Sequence, residues 1–201
     1  MKVMVIGATG TIGRAVVENL SSRHEVIRVG HKDGAYRVDI SSPDSIKELY
    51  EAIGPVDAVV SAAGLAKFAP FDQLTDAEFL LSVTNKLMGQ VNLVRIGYRY
   101  VRDHGSFTVT SGVLGREPMK GSAAISLVNA GLDGFVRAAA LELPRGVRVN
   151  AVSPVWVKET LIALGMDAAG GMPARDVALT YVESVEGRRN GEVLDTRLFI
   201  K

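Results

Sequence analysis

Short apolar runs rich in β-branched residues alternate with longer stretches of helical periodicity along the whole 201-residue chain. Apolar runs of this length are typical of buried strands, and apolar residues spaced three and four apart are typical of the helices that cover them. Strands are predicted at residues 3–6, 25–29, 36–40, 56–64, 106–112 and 147–154. Helices are predicted at residues 11–21, 43–54, 75 to about 103, 121–143 and 175–186, ahead of the C-terminal segment GEVLDTRLFI.

Two helix starts carry capping signals, and one connection between strands is unusual. Ser42 followed by Pro43 fits an N-cap with proline in the first helical position. Thr75 with Glu78 three residues later forms a capping box. Only residues 30–35 separate the second and third predicted strands, which is too short for a crossover helix between parallel neighbours. Either this link is an extended loop, or the third strand is very short.

The predicted strands are apolar on both faces, and most are separated by a helix. This order is typical of an α/β fold in which helices cover both faces of a parallel sheet. No repeat, low-complexity tract or linker divides the chain, so we expect a single domain over residues 1–201.

A glycine-rich turn, GATGTIG, follows the first strand and opens the first helix. In this context glycines let the backbone approach a pyrophosphate, whose negative charge lies at the N-terminus of the helix. The alternative is a tight strand-to-helix turn that binds nothing. We predict a dinucleotide site that includes Gly7, Thr9, Gly10, Thr11, Ile12 and Gly13.

The end of the second strand indicates which dinucleotide is preferred. NAD-binding proteins tend to place an acidic residue there to hold the ribose 2′-hydroxyl. Here Arg28, His31 and Lys32 come before the first acid, Asp33. Cationic side chains suit a 2′-phosphate, so NADP(H) is favoured, with His31 and Lys32 as its contacts. NAD(H) stays open because of Asp33, and both cations could equally be solvated loop residues.

Composition and charge exclude several other classes of function. The net charge is +1, which gives no electrostatic basis for binding nucleic acid or an anionic membrane. The chain has no cysteine, and its three histidines lack metal-ligand spacing, so no metal site is expected. The apolar run at the N-terminus stops at Gly7, too early for a signal peptide or membrane span. A soluble cytoplasmic protein is the expectation.

With these residues placed, the chain resembles the short-chain dehydrogenase/reductase family over nearly its full length. The resemblance rests on GATGTIG, VDIS, SAAG, TVTSG, GLDGFVRAAALEL and RGVRVNAVSPVWV, which come in the family's order and at its intervals. It implies a doubly wound parallel sheet of about seven strands, the Rossmann arrangement. It also implies cofactor contacts from Asp39, which faces the adenine, and from Ser61, Ala62, Ala63, Gly64, Asn129 and Pro154.

The catalytic residues of the family pattern are replaced in this chain. The family's central helix carries Tyr-x-x-x-Lys, and alignment puts Ile125 at the tyrosine position and Asn129 at the lysine position. Isoleucine has no proton to give, and the asparagine amide is neutral, although it can bond a ribose hydroxyl. The family's serine falls at Gly112 or at Ser111, and its catalytic asparagine falls at Lys86.

Two residues remain as catalytic candidates. A partly desolvated Lys86 could serve as an acid or bind ribose hydroxyls, and Ser111 could hydrogen-bond a carbonyl. The alternatives without a catalytic role are that Lys86 is a solvated helix lysine and that Ser111 is an ordinary serine at a strand end. Lys120 and Trp156, at the expected mouth of the pocket, are weaker candidates.

Two functions follow from this pattern. The first is an NADP(H)-dependent oxidoreductase acting on a small carbonyl or alkene substrate. The second is a non-catalytic NADP(H)-binding sensor or scaffold, which the Ile125 and Asn129 pair favours. The family commonly pairs its long central helices, so the small residues of segment 121–143 are consistent with a homodimer or higher homo-oligomer.

Overall fold

The β-branched runs of the chain form the strands of one parallel sheet. The structure is a computed structural model that describes residues 1–199, so residues 200 and 201 of the predicted domain and C-terminal segment lie outside it. The strand order is β3-β2-β1-β4-β5-β6-β7. Their bounds are β1 Lys2–Ile6, β2 Glu25–Gly30, β3 Tyr36–Arg37, β4 Val56–Ser61, β5 Val101–Thr110, β6 Arg148–Ser153 and β7 Val193–Asp195. The doubly wound parallel sheet of about seven strands is confirmed.

Helices cover both faces of this sheet and divide the core into two clusters. They are α1 Thr11–Ser21, α2 Pro43–Ile53, α3 Asp76–Ser82, α4 Gly89–Gly97, α5 Ala123–Glu142, α6 Lys158–Ala163 and α7 Ala174–Glu186. On one face, α2, α4 and α5 bury apolar residues such as Tyr50, Leu93 and Leu132. On the other face, α1 and α7 bury Leu20 and Tyr181 among their neighbours.

The third strand is shorter than predicted. Strand β3 contains only Tyr36 and Arg37, whereas residues 36–40 were expected to form it. Residues 31–35 form a loop, and Val38 then donates a single backbone hydrogen bond to the Gly30 carbonyl at 2.9 Å. Both alternatives for the short link therefore occur together.

The long helix predicted from residue 75 to about residue 103 is wrong in two respects. A π-helical turn, Val83–Met88, interrupts it between α3 and α4. It also ends at Gly97, where a Cβ atom would lie 2.2 Å from the Tyr50 hydroxyl, and β5 begins five residues before the predicted start. The early part of β5 pairs only through Val101 with Val56, and the register then shifts, which explains why its periodicity was not recognised.

The long helix α5 packs against the sheet through one face. It meets the length and hydropathy criterion of a membrane span, with a mean hydropathy of 1.3. Core helices of soluble proteins meet the same criterion, and Leu132 and Val136 of α5 belong to the core. Of its small residues, Gly131 contacts Leu87, whereas a Cβ atom on Gly134 would meet nothing within 4 Å. A small residue of α5 is therefore required by a close contact at Gly131 but not at Gly134.

The order of the strands fixes the position of the site. The chain winds outward in opposite directions from β1 and β4, which are neighbours at the centre of the sheet. In open α/β sheets, ligands bind in the crevice beyond the carboxyl ends of the strands at such a switch point. The glycine turn after β1 and the SAAG segment after β4 both open onto this crevice.

Candidate active site

The glycine turn is shaped by close contacts between backbone segments. Gly7 has φ +82°, and a Cβ atom there would lie 2.6 Å from the Ala62 carbonyl oxygen. A Cβ atom on Gly13 would lie 2.0 Å from the Gly7 carbonyl oxygen. Because backbone atoms cannot swing aside, these contacts keep the start of α1 directly above the ends of β1 and β4.

The N-terminus of α1 is available to an anion. Gly10 is its N-cap residue and supplies no side-chain cap, and the first turn carries no acidic side chain. The first N–H groups of a helix have no partner inside the helix and carry partial positive charge. This arrangement fits the pyrophosphate of a dinucleotide.

Two adjoining cavities open beside the turn. The cavity under β2, about 320 Å³, is the β2-side cavity, and the cavity beside β5, about 290 Å³, is the β5-side cavity. Predicted site residues in the wall of the β2-side cavity are Gly7, Thr9, Gly10, His31, Asp39, Ala62, Ala63 and Gly64. The last three also line the β5-side cavity, so the two cavities adjoin along this segment and together make up the crevice.

The structure does not bring all predicted cofactor residues to the wall. Thr11 and Gly13 lie in the first turn of α1, and Ser61 is buried, where its carbonyl accepts a hydrogen bond from Thr110 Oγ1 at 2.6 Å. Lys32 is exposed on the loop before β3 and lines neither cavity. His31 alone of the predicted cationic contacts lines the β2-side cavity, with Nδ1 3.3 Å from the Val38 carbonyl.

The remaining predicted residues meet in the β5-side cavity. Lys86 comes from the π-helical turn, Ser111 follows β5, Asn129 lies on α5 and Pro154 follows β6. Ile12 of the glycine turn and Ile125 also line it. Residues distant in the chain therefore converge because the carboxyl ends of β5 and β6 adjoin the same face of α5.

Lys86 is not a solvated helix lysine. Only 9% of its surface is exposed, and Nζ donates a hydrogen bond to the Ser111 carbonyl at 3.1 Å. A Cβ atom on Gly64 would lie 2.9 Å from Lys86 Cγ, so the loop after β4 packs directly on its aliphatic stem. Burial lowers the pKa of Lys86 to about 8. At neutral pH the group is still mostly an ammonium, and it gives up a proton more readily than an exposed lysine does.

Asn129 is fully buried and has one free hydrogen-bonding atom. Its Nδ2 donates to the Gly112 carbonyl at 3.3 Å, while Oδ1 has no partner. Gly112 has φ +149°, and a Cβ atom there would lie 2.7 Å from Nδ2, so the amide occupies the space that a side chain would need. Buried polar atoms are rarely left unpaired, and Oδ1 fits the hydroxyl of a bound ribose.

The mouth of the β5-side cavity is apolar. Trp156 lines it and meets Phe68 edge to face, with ring centroids 5.8 Å apart. Val113, Leu114, Val155 and Val157 complete this part of the wall. Lys120 is exposed and does not line the cavity.

One buried acid, Asp133, was not among the predicted site residues. Asp133 lies one helical turn beyond Asn129, is 3% exposed, and neither carboxylate oxygen accepts a hydrogen bond. Burial raises its pKa, while Ser111, Arg116, Arg137 and Lys86 act in the opposite direction. The sequence contains a signal for its position, because Asp133 follows Asn129 at a spacing of four and therefore lies on the same side of the helix. Within residues 1–199, no three histidine or acidic side chains group as a metal site requires.

A doubly wound sheet with a glycine turn at its switch point defines a protein of the Rossmann class. A family profile described as enoyl-(acyl carrier protein) reductase matches residues 9–187. The chain therefore belongs to the short-chain dehydrogenase/reductase family.

Curated relatives are reductases of only moderate similarity. Acetoacetyl-CoA reductase of Allochromatium vinosum is 30% identical over 162 residues, covering 74% of this chain and 65% of the relative. The 3-oxoacyl-(acyl-carrier-protein) reductase FabG of Escherichia coli is 26% identical over 195 residues, covering 86% and 80%. For the first four relatives, the match spans 51–67% of the relative's own length.

Solved structures match over nearly the whole chain. The protein lin1944 from Listeria innocua has 41% identity and a TM-score of 0.93, covering 97% of this chain and 98% of that one. A small-chain dehydrogenase in complex with NADPH has 27% identity and a TM-score of 0.87, covering 97% and 95%.

Proposed function

We propose that the protein is an NADP(H)-dependent oxidoreductase that reduces a small apolar carbonyl or alkene substrate. One observation carries this proposal: Ile12 of the glycine turn and the buried Lys86, whose pKa is lowered to about 8, line the same cavity, which adjoins the β2-side cavity. The relatives named as reductases and the NADPH complex of a similar structure support the same reading.

The residues of the crevice fit a dinucleotide. The turn and the N-terminus of α1 would hold the pyrophosphate, Asp39 would face the adenine, and Asn129 Oδ1 would accept a hydrogen bond from a ribose hydroxyl. The nicotinamide, when bound, supplies the hydride. Hydride transfer depends chiefly on positioning, and loss of a general acid typically costs about 10²–10⁴-fold in rate.

The proton for the substrate oxygen comes from Lys86 in this proposal. Its ammonium lies in the wall of the β5-side cavity and is tethered to the carbonyl of Ser111. Ile125 stands where the family has its tyrosine and contributes only apolar surface. Lys86 would thus replace the missing acid, while the apolar wall excludes water from the transfer.

The cofactor preference is proposed from charge. The second strand ends without an acidic residue, His31 lines the β2-side cavity, and Arg28 and Lys32 are exposed nearby. NADPH should bind more tightly than NADH at low salt, and the difference should shrink at high salt because exposed charges are screened. Fluorescence titrations of both cofactors at two salt concentrations measure this, and equal affinities at low salt would contradict it.

We also propose that two copies pair through α4 and α5. A groove between these helices is lined mostly by apolar residues such as Val94, Tyr98 and Phe135, together with Arg95 and Glu142, and the neighbouring Leu141 is 88% exposed. Apolar surface of this kind is typical of protein interfaces. Light scattering behind size-exclusion chromatography should give twice the chain mass, and Leu141→Glu should lower it; a parent mass of one chain refutes the pairing.

Turnover is tested with a substrate panel. NADPH oxidation would be followed by absorbance with apolar ketones, aldehydes, quinones and activated alkenes. We expect at least one substrate class to react, and Lys86→Met to lower turnover by about 10²-fold or more. Lys47→Met, which changes an exposed lysine of α2, is the matched control. Tight NADPH binding without oxidation across the panel would support the non-catalytic alternative instead.

A further inference from the structure

Gln90 is a fully buried polar side chain that the proposed function does not use. It lies in the first turn of α4, and none of its surface is exposed. Its side-chain amide makes three hydrogen bonds, all of them to backbone groups. Oε1 accepts from the Thr110 N–H at 2.7 Å, and Nε2 donates to the carbonyls of Thr110 at 2.9 Å and of Lys86 at 3.2 Å. The amide therefore holds the end of β5 and the π-helical turn together.

The two bonds to Thr110 take the place of strand pairing at the carboxyl end of β5. The last paired residues of β4 and β5 are Val60 and Thr108. On the other side of β5, pairing with β6 continues, and the Ser111 N–H donates to the Val152 carbonyl at 2.8 Å. Thr110 is buried, and a buried backbone N–H or C=O without a partner is costly. The Gln90 amide has the donor and the acceptor of a peptide group, so it replaces the neighbouring strand here.

The same amide fixes both ends of the Lys86 side chain. The backbone of Lys86 is held through its carbonyl, which accepts from Gln90 Nε2. The ammonium is held through Ser111, because Nζ donates to the Ser111 carbonyl at 3.1 Å and Ser111 directly follows Thr110. A lysine ammonium is carried on a flexible four-carbon stem. With the backbone and the ammonium both tied to one rigid group, the stem keeps a single path across the cavity wall.

We propose that Gln90 is a positioning residue that fixes the Lys86 ammonium at the wall of the β5-side cavity, acting through the backbone of Thr110 and Ser111. Without the amide, the Thr110 peptide groups can turn, and the Ser111 carbonyl loses its fixed direction. The lysine stem then regains the rotamers that the two hydrogen bonds exclude. Proton transfer depends on the geometry of donor and acceptor, so the rate should fall while cofactor binding stays the same. The catalytic part of this proposal rests on the proposed function, whereas the effect on the mobility of Lys86 does not.

The mobility of Lys86 can be measured on the free protein by NMR. The protein is labelled at lysine Cε, and the signal of Lys86 is assigned by its absence in Lys86→Met. In the parent, the two Hε protons should give separate resonances, because a fixed methylene group places each proton in a different environment. In Gln90→Met, which replaces the amide by an apolar side chain of similar length, the two resonances should merge.

Thr108→Val is the matched control. It removes another buried hydrogen bond from β5, the one between Thr108 Oγ1 and Ser184 Oγ at 2.7 Å. It should lower the melting temperature and leave the two Hε resonances of Lys86 separate. This control distinguishes a general loss of stability from a loss of positioning.

A second variant protects the test against misfolding. Gln90→Leu removes the same three hydrogen bonds with a differently shaped side chain, and circular dichroism shows which variant is folded. Separate Hε resonances in either folded variant would overturn the proposal. Merged resonances in the parent would overturn it without any variant. Failure of both variants to fold would also overturn it, because Gln90 would then serve the stability of the fold alone.

Kinetics test the catalytic part. Where the parent turns over, Gln90→Met should lower kcat by about tenfold or more while the KM for NADPH stays constant, because a small misplacement of a reacting group is costly in rate. Thr108→Val should change neither constant. An unchanged kcat in Gln90→Met would overturn the positioning role. Absence of turnover in the parent would refute the proposed function and leave the NMR result standing.

Discussion

A single methyl group at Gly13 should loosen the glycine turn. In Gly13→Ala the new Cβ atom would lie 2.0 Å from the Gly7 carbonyl oxygen, whereas ordinary contact begins at 3.4 Å. The start of α1 must therefore retreat from the turn by about 1.4 Å. Overpacking of this kind costs about 3 kcal/mol, and alanine returns about 1 kcal/mol of helix propensity. A net loss of about 2 kcal/mol lowers the melting temperature by about 4–8 °C in a domain of this size.

The assay compares thermal unfolding with cofactor binding. Circular dichroism gives the melting temperature, and NADPH fluorescence gives the affinity, which should fall by about tenfold or more because the displaced helix no longer presents its N–H groups. Gly134→Ala is the matched control, since its methyl group meets nothing within 4 Å. It should raise stability by about 0.5–1 kcal/mol. A Gly13→Ala protein that melts with the parent and binds NADPH equally well would refute the steric argument.

Three further variants test the interior of the site. The first is Lys86→Met, compared with the parent between pH 8 and pH 10. Over this range the free energy of unfolding of the parent should rise by about 2 kcal/mol relative to the variant, because Lys86 loses its proton near pH 8 in the native state but only near pH 10.5 in the unfolded chain. Parallel pH profiles of the two proteins would contradict this. Tyr181→Phe should cost about 1–2 kcal/mol in urea unfolding, because its hydroxyl lies 2.6 Å from buried Thr110 Oγ1. Asn129→Leu should weaken NADPH binding about tenfold, since it removes Oδ1, which has no partner in the protein, and it should cost about 1 kcal/mol of stability because the Nδ2 hydrogen bond to the Gly112 carbonyl is lost; unchanged affinity would place the ribose elsewhere.

The periodicity of apolar residues predicted most of the fold, because the local sequence preference of most elements agrees with the structure they adopt. Helix α1 occupies the predicted residues 11–21, and the Ser42 and Thr75 caps both form. The errors fall where tertiary contacts override local preference. Residues 98–103 continue a helical pattern, but packing of Gly97 on Tyr50 ends the helix.

The sequence allowed the residue types of the candidate site to be predicted, but not their burial or their contacts. Lys86 could be chosen by its place in the family pattern, but its burial depends on the loop at Gly64 and on a π-helical turn that no periodicity rule detects. Asp133 was overlooked because a lone acid in an apolar helix reads as a solvated position. Its burial depends on β5 and the π-helical turn, which contact α5 only once the sheet is assembled.

The π-helical turn Val83–Met88 also sets a rotational phase. An α-helix advances about 100° per residue, so a turn that holds an extra residue offsets everything beyond it by that angle. The capping box fixes α3 on one side, and the buried Leu93 and Val94 fix α4 on the other. Removing one residue from the turn would leave both helices intact but would rotate one relative to the other. Either Lys86 would then point to solvent, or Leu93 and Val94 would point away from the sheet. A helix that must serve an apolar core and a polar crevice at different angles thus tolerates substitutions here better than changes in length.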